Sequence, residues 1–303
     1  MNHNRADTNT KPESITPEQQ GLLRRAVVYL LYSSVFISVC AFALTIETYL
    51  LAELPISLPM AVFVFLATLF TYNLSSIQSV VLRRKGQTAT EPASWWYRHR
   101  KGMAIVGLAG ISLAAIVYFY FGLRLNFWFV IHLAIISIGY TIPIVYRRKT
   151  VKPLRRVPLL KVFLIAYVWA VVTGMFPLMD AGIAVLDTQA MELFLRRFLF
   201  ILALALLFDI RDYTYDRHTN TLTVPGLIGV TYTKLLSLGL LLLYAVIVMQ
   251  SESGATMAAL LTSTAGAALV VWLSSELRPR VYFLLFADGA MLLHAALVYL
   301  ACN

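Results

Sequence analysis

Residues Phe208–Gly229 read FDIRDYTYDRHTNTLTVPGLIG. They close a long apolar run and set three carboxylates, Asp209, Asp212 and Asp216, close together along the chain. At about 100° per residue these offsets put all three on one helical face, within roughly 60°, with Arg211 on another side. Three like charges on one face at the end of an apolar helix repel one another and lose hydration. A cation, commonly Mg²⁺, or a partner charge is what offsets such a cluster. The alternative reading is a helix end whose acids simply meet water.

The run behind these acids is typical of the whole chain. Of 303 residues, 59% are hydrophobic and only 13% charged, with a mean hydropathy of +0.75. One soluble core cannot hide that much apolar side chain, so the composition predicts an all-α, polytopic membrane protein. The formal charge of +10 does not indicate nucleic acid. Its cations punctuate apolar segments, where anionic lipid headgroups account for them. Cys40 and Cys302 form neither a disulfide framework nor a metal spacing, and the five histidines show no ligand pair at helical spacing.

Residues 1–20 are polar, carry Pro12 and Pro17, and read as a flexible tail. Residues 21–303 read as one transmembrane domain, with no fixed-period repeat and no inserted soluble domain. The first apolar segment, Ala26–Leu51, is longer than a signal-peptide core and reads as a span. Eight more follow, at about Leu58–Leu82, Met103–Phe121, Asn126–Val145, Leu159–Met179, Met191–Asp209, Tyr232–Met249, Ala255–Leu273 and Val281–Leu300. Each is long enough for roughly 30 Å of hydrocarbon at about 1.5 Å per residue.

With the N-terminus inside, twenty Lys and Arg fall in or beside inner loops, against three outside, Arg124, Arg196 and Arg197. That bias predicts an integral protein of the cell's inner or plasma membrane, with its N-terminus and acidic cluster cytoplasmic. Two other inner loops matter. Arg83–Lys101 carries Trp95, Trp96 and Tyr97, which suits an interfacial segment better than a substrate lid. The loop YRRKTVKPLRRVPLLK holds seven cations from Arg147 to Lys161, more than topology needs, and so points equally to anion binding. Basic loops beside an acidic, metal-capable helix end describe a polyanion site. Diphosphate is the candidate, with a hydrocarbon chain in the bundle beneath. Asp288, in the last span, is a functional candidate or a partnered interior acid. His294 lies near the opposite face from it, and His132 and Asn126 read as packing or capping residues.

DIRDYTYDRHTNTLTVPGLIG resembles the second aspartate-rich motif of the UbiA superfamily of intramembrane prenyltransferases. That motif runs D-x-x-D-x-x-x-D, matched at Asp209, Asp212, Asp216 and Arg217, with Thr223, Val224, Pro225 and Gly229 following. Tyr140-Thr141-Ile142-Pro143 is similar to the family's fourth-span exit, and Lys161–Trp169 to its fifth-span entry. The first motif departs: at the end of the second span Asn73 fits, but Leu74, Ile77 and Val81 stand where acids belong.

The resemblance covers residues 25–300 and implies a ring of nine helices around a lipid-accessible cavity. It further implies Mg²⁺ held by Asp209, Asp212 and Asp216, a polyprenyl diphosphate donor, and an apolar, aromatic or lipid-like acceptor. Asn73 would complete the polar rim among the catalytic residues. Lys161, Arg147, Arg148, Tyr140 and Arg217 would contact diphosphate, and Arg83 and Arg84 are the cations nearest the lost acids. Those losses leave a second reading, a non-catalytic prenyl-lipid-binding or assembly protein on the same scaffold.

Overall fold

A computed structural model describes residues 29–81, 91–141, 145–146, 149–150, 160–218 and 222–302, and its side chains outside 78–81, 91–94 and 137–150. The helices are α1 (Val35–Leu51), α2 (Leu58–Val81), α3 (Glu91–Phe121) and α4 (Phe127–Thr141). After them come α5 (Leu160–Asp180), α6 (Thr188–His218), α7 (Val224–Ser251), α8 (Gly254–Leu273) and α9 (Arg280–Cys302). A two-residue hairpin, β1 (Val145–Tyr146) with β2 (Lys149–Thr150), is the strand pairing among the described residues. The all-α class holds.

Each expected span overlaps one of these helices. Among the described residues six, α2, α3, α5, α7, α8 and α9, are long and apolar enough to cross a membrane. α1 and α4 are apolar but shorter, and α6 is long but interrupted by charge. Large apolar side chains stand outward, among them Phe119, Tyr120, Trp128 and Leu242. In water such a surface would aggregate, whereas in lipid it is satisfied. The chain is an integral membrane protein.

Packing follows chain order and then closes. α1 lies on α2 and α2 on α3; α5 lies on α6, α6 on α7, α7 on α8 and α8 on α9; α9 returns to α1. The middle of α6 is enclosed, with Leu199–Leu207 buried without a break. Two π turns interrupt the ladder, Val171–Met175 in α5 and Phe283–Ala287 in α9. α7 is kinked after its first turn by Gly229, at φ 83° and ψ 161°. Only glycine takes that conformation without strain.

Two boundaries differ from the expected ones. α3 starts at Glu91 rather than Met103, so much of the expected aromatic loop is helix. There Trp95 is buried and stacks on His99, centroids 4.2 Å apart, and Trp96 Nε1 donates to the Tyr32 carbonyl at 3.0 Å. Tyr97 remains exposed, with the Arg100 guanidinium over its ring. The segment is held against residues 29–32 by rings and two hydrogen bonds, the second between the Tyr29 hydroxyl and His99 Nε2 at 3.1 Å, which apolar periodicity alone does not reveal. α6 likewise runs on past Asp209 to His218, so all three acids sit on one continuous helix.

Candidate functional site

The acids occupy the last turns of α6, where the macrodipole disfavours negative charge. Cations from three directions offset them. Lys161 Nζ, at the start of α5, donates to Asp209 Oδ1 at 2.8 Å, and Asp209 is 2% exposed. Arg211 Nε and Nη2 donate to the two oxygens of Asp212 at 2.8 and 2.7 Å. Arg280 Nη2, at the start of α9, stands 4.0 Å from Asp212 Oδ1. Arg211 was expected to point away from the acids. Instead its long side chain folds back along the helix to clamp Asp212.

Burial acts to raise the Asp212 carboxyl, but the charge and hydrogen bonds of Arg211 outweigh it and hold the group below its ordinary range. Asp216 shifts the other way. Burial lifts it to about 6; Lys161 draws it down, while Asp212 and Asp209 push it further up. One helix face therefore carries two differently held carboxylates.

Asn73 on α2 is 1% exposed, and among the described residues its Oδ1 finds no hydrogen-bond partner. It packs on α3, where a Cβ built on Gly107 would stand 3.7 Å from its Cβ. No described hydrogen bond joins it to the acids. Arg217 is exposed in the last turn of α6, where its charge complements the helix dipole. Arg83, Arg84, Arg147 and Arg148 lie outside the described residues, as does the side chain of Tyr140. Asn126 caps α4, accepting from the Trp128 amide at 3.0 Å.

Below Lys161, between α2, α4 and α5, lies an apolar cavity of about 90 Å³ lined by Thr71, Tyr72, Ile136, Leu164, Val168 and Trp169. Trp169 Nε1 donates to the Tyr72 hydroxyl at 3.1 Å, fixing two of its walls.

Sequence reasoning missed a second polar centre, about 18 Å back along α6. Glu47, on α1 and 1% exposed, accepts from Arg197 at 3.0 Å and pairs with His294 Nδ1 at 3.0 Å. His294 Nε2 meets the Tyr244 hydroxyl at 2.7 Å, and Arg196 donates to Glu252 at 2.6 Å. Arg196 and Arg197, counted above as outer cations, are both buried. A glutamate in the first apolar run was the available signal, because such an acid needs a partner.

Oxygen ligands from closely spaced aspartates match the chemistry of Mg²⁺. Yet among the described residues no group of three or more His, Cys, Asp or Glu is gathered to hold a metal. In this conformation Lys161 and Arg211 occupy the carboxylate oxygens that a metal would use.

No protein-family model matches the sequence, and no curated protein does. Solved structures do match. A UbiA homologue from Aeropyrum pernix K1 aligns with a TM-score of 0.59 at 17% identity, over 87% of this chain and 97% of its own. A UbiA homologue from Archaeoglobus fulgidus bound to GPP and Mg²⁺ gives 0.56 at 12%, over 93% and 98%. A digeranylgeranylglyceryl phosphate synthase gives 0.53 at 11%, over 92% and 99%. Identities this low establish the fold: the chain is a UbiA-fold membrane protein.

Proposed function

We propose that the chain belongs to the UbiA superfamily by descent as well as by fold, and that it is an intramembrane prenyltransferase. It takes a polyprenyl diphosphate with Mg²⁺ at the acidic end of α6 and passes the prenyl group to an apolar acceptor. The observation that carries this reading is the buried, cation-flanked acid face of α6 beside an apolar cavity on α5. Asp209, Asp212 and Asp216 hold the metal; Lys161 and Arg280 are already placed to meet diphosphate oxygens once the acids turn to it. Arg147, Arg148, Tyr140, Arg217, Arg83 and Arg84 are proposed as further diphosphate contacts. Mg²⁺ supplies charge neutralisation on the leaving diphosphate. Leu164, Val168 and Trp169 lie three to eight residues past Lys161, about 5–12 Å deeper. They give the chain's first units a dry wall that shields a developing allylic cation from water.

The neighbour bound to GPP and Mg²⁺ supports this reading. One observation favours the binding-only alternative: Leu74 and Ile77 put half-buried apolar side chains on α2 where a facing set of acids would stand. The test of the site is donor binding by the purified chain with Mg²⁺ and with a chelator. Binding that requires Mg²⁺ supports the site. Binding indifferent to the chelator removes the metal from the account.

A further inference from the structure

The second polar centre on α6 pairs its charges but leaves hydrogen bonds unmade. Arg196 Nη1 donates to Glu252 Oε1 at 2.6 Å. Arg197 Nη2 donates to Glu47 Oε1 at 3.0 Å, and to Thr48 Oγ1 and the Leu44 carbonyl at 3.2 Å each. Each guanidinium is engaged on one side only. Among the described residues, Arg196 Nε and Nη2 and Arg197 Nη1 find no partner. Arg196 is 3% exposed and Arg197 6%. Charged donors left unmet at such burial are costly, and ionisable side chains held inside a membrane bundle point to a ligand or a pathway.

Both arginines line one small cavity, together with Glu47, Thr48, Tyr244 and His294. It measures about 10 Å³, room for roughly one water-sized sphere. The acceptors around it are already engaged. Glu47 Oε2 takes His294 Nδ1 at 3.0 Å, and the Tyr244 hydroxyl and His294 Nε2 share a hydrogen bond of 2.7 Å. The Thr48 hydroxyl donates to the carbonyls of Leu44 and Thr173. The unmet atoms are donors that cannot accept. A water among them would bring two hydrogens of its own in need of acceptors. An anion brings none. The volume suits a single atom and excludes a phosphate or a lipid headgroup. Glu192 and Glu252, whose side chains are 34% and 18% exposed, also reach Arg196 and mark where the site nears the surface.

We propose that this cavity is a halide site, in which one chloride-sized monoanion accepts from Arg196 Nε and Nη2 and from Arg197 Nη1. Its charge is shared by two guanidiniums whose other sides stay paired with glutamates. Bound there, it ties α6 to α1, α7 and α9 and holds the ring closed at the end away from the acidic cluster. The site involves no metal and no prenyl donor, so it stands or falls apart from the function proposed above.

The test melts the full chain in detergent at constant ionic strength while chloride or bromide replaces gluconate, an anion too large for the cavity. Both halides are expected to raise Tm saturably, by roughly 5 °C, while methanesulfonate, another large monoanion, does not. The NMR line of chloride is expected to broaden with the parent and to sharpen when bromide, but not gluconate, competes. Arg196→Lys keeps a charge for Glu252 but removes Nε and Nη2, and is expected to weaken halide binding at least tenfold, the order of a lost charged hydrogen bond. Arg197→Lys does the same for Nη1 while keeping a charge for Glu47, so a folding defect in one variant leaves the other. A Tm rise shared by methanesulfonate, or an unbroadened chloride line, overturns the site and leaves water on the donors. Halide binding of full strength in either folded variant overturns it as well, because the ion then sits elsewhere.

Discussion

At the residue scale, the two buried polar centres on α6 respond oppositely to the loss of an acid. Asp209 and Asp212 are held by Lys161 and Arg211 at 2.8 and 2.7 Å. Asp209→Asn and Asp212→Asn are each expected to abolish Mg²⁺-dependent donor binding while the protein still folds, as read by isothermal titration. Variants that keep donor affinity, and melt higher in detergent with Mg²⁺ present, would show acids that merely repel one another. Glu47 belongs to a closed network with Arg197 and His294. Removing one side of a buried pair strands the other, so Glu47→Gln is expected to destabilise by about 3–5 kcal/mol. A joint Glu47→Leu, Arg197→Met change is expected to cost far less. Thermal unfolding checks both, and equal losses contradict the pairing. The acid face was legible because helical spacing is a local property. The partners of Glu47 were not, since Arg197 and His294 lie 150 and 247 residues away in sequence. Arg211 escaped for another reason: spacing locates a Cα, while a guanidinium on a long stem ends elsewhere.

At the scale of elements, α5, α7 and α9 each depart from a regular helix. Gly229 breaks α7 at φ 83°, and its carbonyl accepts from Thr233 Oγ1 at 2.8 Å. Gly229→Ala is expected to cost about 1–3 kcal/mol of stability, the usual strain of a side chain in that region. A neutral melting temperature would mean the kink yields easily. The cavity on α5 gives a second prediction. Val168→Phe narrows a space of about 90 Å³, and is expected to weaken donor binding while leaving Mn²⁺ uptake unchanged. Equal binding of long and short donors by this variant would put the chain elsewhere. Apolar runs located these helices, but neither π turn nor the extension of α3 to Glu91 shows in hydropathy. They depend on ladder slips and ring stacking that composition does not encode.

For the whole molecule, ring closure decides what meets what. α9 packs on α1, which brings Arg280 to Asp212 and His294 to Glu47. The twenty cations assigned to one side are the basis for proposing that the acidic end of α6 is cytoplasmic. Single cysteines at Arg98, Arg155 and Asp212 are therefore expected to resist an impermeant reagent added to intact cells, while sites in Asp180–Asp187 react. The reverse pattern inverts the topology. Whether the site turns substrate over is the central claim, and α2 gives reason to ask. The most direct measurement incubates the purified chain in lipid with a labelled polyprenyl diphosphate and apolar acceptors, with Mg²⁺ and with a chelator. The account expects Mg²⁺-dependent release of diphosphate with the label joined to an acceptor, lost in Asp212→Asn. Donor that binds tightly with Mg²⁺ yet is recovered intact after long incubation would contradict it, leaving a protein that holds prenyl lipids without transferring them.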